Sequence, residues 1–194
     1  MSTAHEKRKA LDYDFIRETI TSIGALRWRD FFAYMYASGA RVNEALDARK
    51  SDIKEQDGWI MITLRTEKNL REYDRVFPID THSEPWLASI IQEITFKAKD
   101  FQNDAFLFKF SDRTALRYCQ KYFGCDNHTF RHSRATHYSK MYRMDSFELM
   151  RLFGWSSPKP AVIYVHKNIQ DIQEKMRNAK PLGAEGLNTS FDGK

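Results

Sequence analysis

Residues 127–166 constrain the fold more than any other part of the sequence, because helix start and stop signals alternate along them. A helix is predicted from Thr129 to about Arg143, and a shorter one over Phe147–Phe153, where Gly154 ends it. The segment Ser156–Pro160 is predicted to be a loop, because proline inside a helix lacks a backbone donor and clashes with the preceding turn. This part of the chain is therefore expected to form two helices followed by a loop.

The rest of the sequence alternates between helical and extended patterns. Apolar residues at helical spacing predict helices, and runs of β-branched and aromatic residues predict strands. The expected fold class is mixed α+β, mostly α-helical with a small antiparallel β-sheet or hairpin. The predicted elements are two helices between residues 11 and 37 separated at Gly24, a short helix near Arg41, strands over 59–65 and 75–79 preceded by an Asp57-Gly58 turn, a helix after Pro85, and a helix from Ser111 or Asp112 to about Phe123.

Composition narrows the class of protein. Hydrophobic residues make up 42% of the 194 residues, which is typical of a globular domain. The formal net charge of +5 favours an anionic partner. No run approaches the ~20 apolar residues of a membrane span, and the N-terminus lacks the apolar centre of a signal peptide. The sequence therefore predicts a cytoplasmic protein without a membrane association.

Several polar residues in and near residues 127–166 suggest phosphate chemistry. His128 and Arg131 are three apart at a predicted helix N-terminus, where backbone N–H groups also attract anions. Trp155 offers an indole N–H as a donor. Tyr164 is the candidate nucleophile, although a phenol needs cationic surroundings to become a phenolate. Two upstream cations complete the candidate catalytic set: Arg41 and Lys68.

Further basic residues are candidates for contacts with a nucleic-acid backbone. Arg71 and Arg75 follow Lys68 in the long polar connection between the two predicted strands. Arg113, Arg117 and Lys121 recur every four residues on one face of a predicted helix. Either group can instead be an ordinary solvated surface.

The order of these motifs resembles that of the tyrosine recombinase, or phage integrase, family. Four segments carry the resemblance, and their spacing and order agree with the family over about residues 11–178. They are Ser38–Leu46 with Arg41, the hairpin around Lys68 that ends in RVFPI, His128–Ser133 as an HxxRH motif, and Leu152–Ser157 followed by Tyr164 and His166. Trp155 stands where most members of that family have histidine.

The resemblance implies a site-specific DNA recombinase that works without metal or other cofactor. Tyr164 is expected to attack a DNA phosphate and form a 3′-phosphotyrosyl bond. Arg41 and Arg131 are expected to hold the phosphate oxygens, with Trp155 donating to one of them. The remaining roles are general acid for Lys68 and assistance in removing the tyrosine proton for His128.

Two other residues are expected to support the site. Glu44 is a candidate partner that holds Arg41, and His132 either buttresses the site or only packs. His128 and His132 also have the four-residue spacing of metal ligands on a helix. No accompanying carboxylate motif is present, so no metal site is predicted.

The resemblance also sets expectations for domains and partners. Residues 1–10 and 179–194 are predicted to be flexible, residues 11–178 to form the catalytic domain, and an N-terminal DNA-clamping domain to be absent from this chain. The expected partner is double-stranded DNA. On DNA the protein is expected to form a homotetramer whose protomers exchange a C-terminal segment that begins near Asn168. When free, it is expected to be a monomer or a weak oligomer. The alternatives are a non-catalytic DNA-binding or regulatory protein of the same fold, a type IB topoisomerase and a telomere resolvase.

Overall fold

A computed structural model describes residues 10–65, 75–100, 102, 105–165, 173 and 176–177. Lys68, Arg71 and His166 lie outside these residues, as do most of residues 1–10 and most of residues 166–194. Within the described part, no helix is long and apolar enough to cross a membrane. The elements are α1 (Tyr13–Ser22), α2 (Leu26–Ser38), α3 (Val42–Leu46), β1 (Ile53–Gln56), β2 (Trp59–Leu64), β3 (Arg75–Asp80), α4 (Pro85–Lys97), α5 (Asp112–Phe123), α6 (His128–Met141), α7 (Ser146–Phe153) and α8 (Lys159–Val162).

Helix α2 is the centre of the domain. The sequence predicts one strongly apolar face, but the structure buries every residue from Asp30 to Ser38. A helix that is apolar all round has to be enclosed by other elements, and α2 packs against α1, α3, α4, α6 and β3. At its N-terminal end, Trp28 stacks on Tyr118 of α5 with ring centroids 3.9 Å apart. Because these contacts hold α2 in place, they also fix the position of Gly39 and Arg41, which follow its C-terminal end.

The small sheet has three antiparallel strands in the order β1-β2-β3. The sequence predicts β2 and β3 but not β1, whose residues are mostly polar and exposed. Asp57 and Gly58 have φ of 50° and 81°, so both occupy the left-handed region that a two-residue hairpin turn requires. The predicted Asp57-Gly58 turn is confirmed, and it joins β1 to β2.

Arg75 lies on the inward face of this sheet, which corrects its assignment to a DNA-facing surface. Along β3 the buried positions alternate, so Arg75 shares its face with Phe77 and Ile79. In the register of the sheet, Phe77 pairs with Ile62 and Ile79 with Ile60, all of them buried. Only 8% of Arg75 is exposed. A side chain in this position cannot lie along a DNA backbone on the outside of the hairpin.

Residues 127–165 fold largely as predicted. Asp145 caps α7 by accepting hydrogen bonds from the backbone N–H groups of Phe147 and Glu148, at 2.8 and 3.0 Å. Gly154 ends α7 in the left-handed conformation. The predicted loop Ser156–Pro160 is wrong in its second half, because α8 begins at Lys159. Proline is compatible with the first turn of a helix, whose N–H groups have no intrahelical acceptor.

A fully buried ion pair connects α6 to the start of α4. The Arg134 guanidinium donates to both carboxylate oxygens of Glu84, at 2.6 and 2.7 Å, and to the hydroxyl of Tyr138 at 3.1 Å. The two charged side chains are 1% and 0% exposed. Because neither charge reaches water, removing one partner leaves the other uncompensated in the core.

Replacing Arg134 with alanine is therefore expected to lower the free energy of unfolding by about 3–5 kcal/mol. The matched control is Arg17→Ala, because Arg17 pairs with Asp14 at the surface, where the two side chains are 42% and 65% exposed. The control is expected to cost no more than about 1 kcal/mol. Urea unfolding of the variants measures both values, and equal losses would contradict a structural role for the buried pair.

Candidate active site

Arg131 is fixed between the ends of two other helices. It lies in the first turn of α6 and is 3% exposed. One terminal nitrogen donates to the backbone carbonyl of Gly39 at 2.8 Å, and the other donates to the carbonyl of Phe153. A guanidinium has five N–H donors, so these two bonds set the plane of the group and leave it further donors to offer a ligand. Arg131 is thus held in one orientation before any ligand arrives.

The Phe153 carbonyl is shared with a second arginine. Arg75, on β3, donates to it at 3.1 Å. This carbonyl belongs to the last residue of α7, where the helix dipole presents its negative end to both cations. Gly154 makes the approach possible, because a Cβ there would lie 2.4 Å from Cδ of Arg75. The glycine that ends α7 also has to be a glycine for Arg75 to fit.

Glu44 joins Arg75 to Arg41. Its carboxylate accepts from the backbone N–H of Arg41 at 2.7 Å, from the Arg41 guanidinium at 2.9 Å and from Arg75 at 2.5 Å. Burial by itself raises the pKa of Glu44, but Arg75, the Arg41 N–H and Arg131 outweigh it and the pKa is lowered. The sequence-based pairing of Glu44 with Arg41 is thus present, and Arg75 is an additional partner that the sequence did not suggest.

The resulting cluster contains more cationic than anionic charge. Among the residues that the structure describes, Arg41, Arg75 and Arg131 surround one carboxylate, that of Glu44. Burial, followed by repulsion from Arg75 and Arg41, lowers the pKa of Arg131 to about 9. A cation destabilised in this way gains from a neighbouring anion, which compensates both the desolvation and the repulsion. Arg41, whose side chain is 50% exposed, opens the cluster to solvent. The arginine cluster is therefore a candidate anion site.

Tyr164 lies beside the arginine cluster in a stack of rings. Trp155 lies between Phe153 and Tyr164, with ring centroids 5.1 and 5.5 Å away and planes within 16° and 8° of parallel. The Arg131 guanidinium lies 5.6 Å from the centre of the Trp155 ring. The Tyr164 hydroxyl is 3.0 Å from Nδ1 of His132. Burial raises the pKa of Tyr164, and Arg131 opposes that rise.

The two histidines of α6 occupy different environments. His128, the predicted aid to proton removal, is the first residue of the helix and is exposed. His132, one turn later, is the residue that contacts the Tyr164 hydroxyl. Their four-residue spacing gives both the same helix face, so the sequence did not distinguish them. Among the described residues no three His, Cys, Asp or Glu side chains are grouped as a metal site.

The basic stripe of α5 is exposed over its whole length. Arg113, Arg117 and Lys121 all reach solvent, and the last two lie over the rings of Tyr118 and Tyr122 at 5.3 to 5.7 Å. The stripe is therefore available to a large anionic partner. Lys68 and Arg71, the two other basic candidates, lie outside the described residues.

Comparison with known proteins places the chain in a family. The sequence profile of the phage integrase family matches residues 13–171, which include every element of the arginine cluster. The chain belongs to this family. Over 178 residues it is 25% identical to the tyrosine recombinase XerC of Chlamydia muridarum (strain MoPn / Nigg), and the match covers 86% of the chain and 55% of that protein. The chain thus spans about half the length of this curated relative.

Solved structures confirm the fold of a tyrosine recombinase catalytic domain. The site-specific recombinase XerH bound to its difH substrate, in a pre-cleavage complex, superposes with a TM-score of 0.65 at 19% identity. That match covers 86% of this chain and 53% of XerH. The catalytic domain of bacteriophage HP1 integrase superposes with a TM-score of 0.60 at 18% identity, covering 90% of this chain and 96% of that domain. The chain thus matches nearly the whole of the HP1 catalytic domain and about half of XerH.

The lowered pKa of Glu44 gives this integrase domain a testable pH dependence. A carboxylate with a depressed folded pKa adds stability above its unfolded pKa of about 4.3, and that stability is lost as the pH falls through the folded value. Glu44→Gln is therefore expected to cost about 3 kcal/mol at neutral pH, because it removes the buried carboxylate that pairs with Arg75, and to cost less near pH 3. Urea unfolding at both pH values measures the difference.

The control for this prediction is Glu18→Gln, because Glu18 is exposed on α1. It is expected to change stability little at either pH. A Glu44→Gln deficit that has the same size at neutral and acid pH would show that the glutamate contributes through shape and not through charge.

Proposed function

We propose that this chain is the catalytic domain of a site-specific DNA recombinase that cleaves and rejoins strands through a 3′-phosphotyrosyl intermediate. The observation that carries the proposal is the juxtaposition of Tyr164 with the arginine cluster. A hydroxyl nucleophile lies next to a buried, orientated guanidinium in a site with surplus positive charge. Membership of the phage integrase family supports the same chemistry.

The arrangement suits phosphoryl transfer because negative charge accumulates on the phosphate oxygens as Tyr164 attacks. Arg131 and Arg41 are proposed to bind the non-bridging oxygens, since planar guanidinium groups match phosphate geometry. Arg131 is already orientated by the Gly39 and Phe153 carbonyls, so little reorganisation is needed when charge develops. Trp155 is proposed to donate its indole N–H to one of the same oxygens.

Protonation of the leaving group completes the proposed reaction. Lys68 is proposed to give a proton to the departing 5′-oxygen, as the resemblance implies. A 5′-hydroxyl is then proposed to attack the phosphotyrosyl bond, which reverses the step and joins a strand. Because the arginine cluster supplies the cationic charge, the reaction is proposed to need no metal ion. For His128, at the exposed start of α6, the proposed role is the one that the resemblance implies, assistance in removing the Tyr164 proton.

The proposed partner is double-stranded DNA. XerH, whose structure was solved bound to its difH substrate, has the same fold. The exposed stripe of Arg113, Arg117 and Lys121 is proposed to contact backbone phosphates. A homotetramer on DNA, linked by the C-terminal segment after Lys167, is proposed on the resemblance. It would be contradicted if truncation after Lys167 left recombination intact.

Covalent trapping tests the proposed reaction without knowledge of the target sequence. The chain is incubated with a pool of nicked duplexes of randomised sequence in EDTA, and complexes that survive SDS are recovered and sequenced. The wild-type chain is expected to give such complexes with an enriched DNA sequence, and Tyr164→Phe to give none. Tyr122→Phe, which removes a hydroxyl from a half-buried tyrosine of α5, is the matched control and is expected to retain them.

Two results would contradict the proposed reaction. Complexes that persist in Tyr164→Phe would exclude Tyr164 as the nucleophile. Binding of the pool without any covalent complex would favour the non-catalytic DNA-binding alternative.

The basic stripe makes a separate prediction about DNA affinity. Replacing Arg113, Arg117 and Lys121 with alanine is expected to weaken binding and to reduce the slope of log K against log salt by about 1 for each phosphate that is no longer bound. Fluorescence anisotropy across a salt series measures this slope. The control removes the same charge from exposed residues elsewhere, namely Arg27, Lys54 and Lys109. Equal slopes in both triple variants would show that net charge alone matters.

A further inference from the structure

The contact between His132 and Tyr164 suggests a role that the family resemblance does not assign. Nδ1 of His132 lies 3.0 Å from the Tyr164 hydroxyl, and the two ring centroids are 5.0 Å apart. The Tyr164 ring also stacks on Trp155, with ring centroids 5.5 Å apart. The hydroxyl is thereby held against one imidazole nitrogen. His132 is half-buried.

A proton acceptor is needed because Tyr164 is a neutral phenol at physiological pH. Burial raises the pKa of Tyr164 above that of a free phenol, and the opposing effect of Arg131 does not reverse the shift. The hydroxyl must therefore lose its proton as it attacks phosphorus. A general base has to lie within hydrogen-bond reach of the proton that it removes. Among the described residues, the side chain found at that distance from the hydroxyl is His132.

The chemistry of imidazole suits this position. In a neutral histidine one ring nitrogen accepts while the other carries a proton, so Nδ1 can accept from the phenol. Arg131 lies 5.6 Å from the centre of the Trp155 ring, and its positive charge favours loss of the Tyr164 proton. His128 lies one turn earlier, at the exposed start of α6.

We infer that His132 is the catalytic residue that accepts the Tyr164 proton, an inference that rests on the proposed recombinase function. As the bond between Tyr164 Oη and phosphorus forms, the proton moves from Oη to Nδ1 of His132. The bond between phosphorus and the 5′-oxygen breaks, and its electron pair leaves with that oxygen, which takes a proton from the cationic general acid. When a 5′-hydroxyl later attacks the phosphotyrosine, its proton passes to the deprotonated general acid. The bond between phosphorus and Tyr164 Oη breaks, and His132 returns its proton to that oxygen.

Two substitutions separate proton transfer from simple positioning. His132→Asn retains a hydrogen-bond acceptor near the position of Nδ1 but lacks a basic nitrogen. His132→Ala removes both properties. If His132 is the base, both variants are expected to cleave at least about 100-fold more slowly than wild type. If it only holds the tyrosine, His132→Asn is expected to remain within about threefold of wild type, and that result would overturn the inference.

The measurement is the single-turnover rate of covalent complex formation on a trapped nicked duplex. Added imidazole is expected to restore cleavage by His132→Ala, because a free base can occupy the vacated space. A second substrate carries sulfur in place of the bridging 5′-oxygen, since a thiolate leaves without being protonated. Sulfur is expected to leave the His132→Asn defect unchanged, and rescue by sulfur would place His132 on the leaving-group side and overturn the inference.

His128→Asn serves as the matched control on the same helix face. Added imidazole is not expected to raise the cleavage rate of His128→Asn. This variant is also expected to lose less activity on the oxygen substrate than His132→Asn. Far-ultraviolet circular dichroism and urea midpoints confirm that the variants are folded. If the wild-type chain forms no covalent complex, the proposed function fails and the inference with it. If the wild type forms one and His132→Asn matches its rate, only the inference fails.

Discussion

The site depends on two oxygen acceptors that hold three guanidinium groups together. The Glu44 carboxylate binds Arg41 and Arg75, and the Phe153 carbonyl binds Arg75 and Arg131. Arg75 belongs to both sets, so it links the short helix α3, the strand β3 and the end of α7. Within the described part of the chain, one carboxylate faces three guanidinium groups, and repulsion from Arg75 and Arg41 contributes to the lowered pKa of Arg131. A phosphate with two non-bridging oxygens would supply what is missing.

Much of the fold could be predicted from local sequence, because its helices carry their own start and stop signals. Asp145 and Gly154 define α7 in the sequence as they do in the structure. The full burial of α2 was harder to predict from local sequence, because it depends on the elements that surround the helix. Strand β1 was missed because its side chains are mostly exposed. The Asp57-Gly58 pair was a usable signal, since such a pair joins two strands more often than it precedes one.

The site residues were predicted less completely, for reasons that differ from residue to residue. Arg75 could have been placed inward, because it alternates with Phe77 and Ile79 as the buried face of a strand must. Its partners could not be predicted, since Glu44 and Phe153 lie 31 and 78 residues away. His132 presents another difficulty: which histidine of α6 reaches Tyr164 depends on how the turn after Gly154 and the short helix α8 return the chain to α6.

The proposed chemistry requires Tyr164 to be the group that bonds to phosphorus. The direct measurement is mass spectrometry of the wild-type covalent complex, after nuclease digestion has reduced the DNA to a short adduct and protease digestion has released peptides. The predicted result is a nucleotide phosphate on the peptide that contains Tyr164, with fragment ions that place it on that residue. An adduct on any other tyrosine, or on a serine or histidine, would contradict the proposed role of Tyr164.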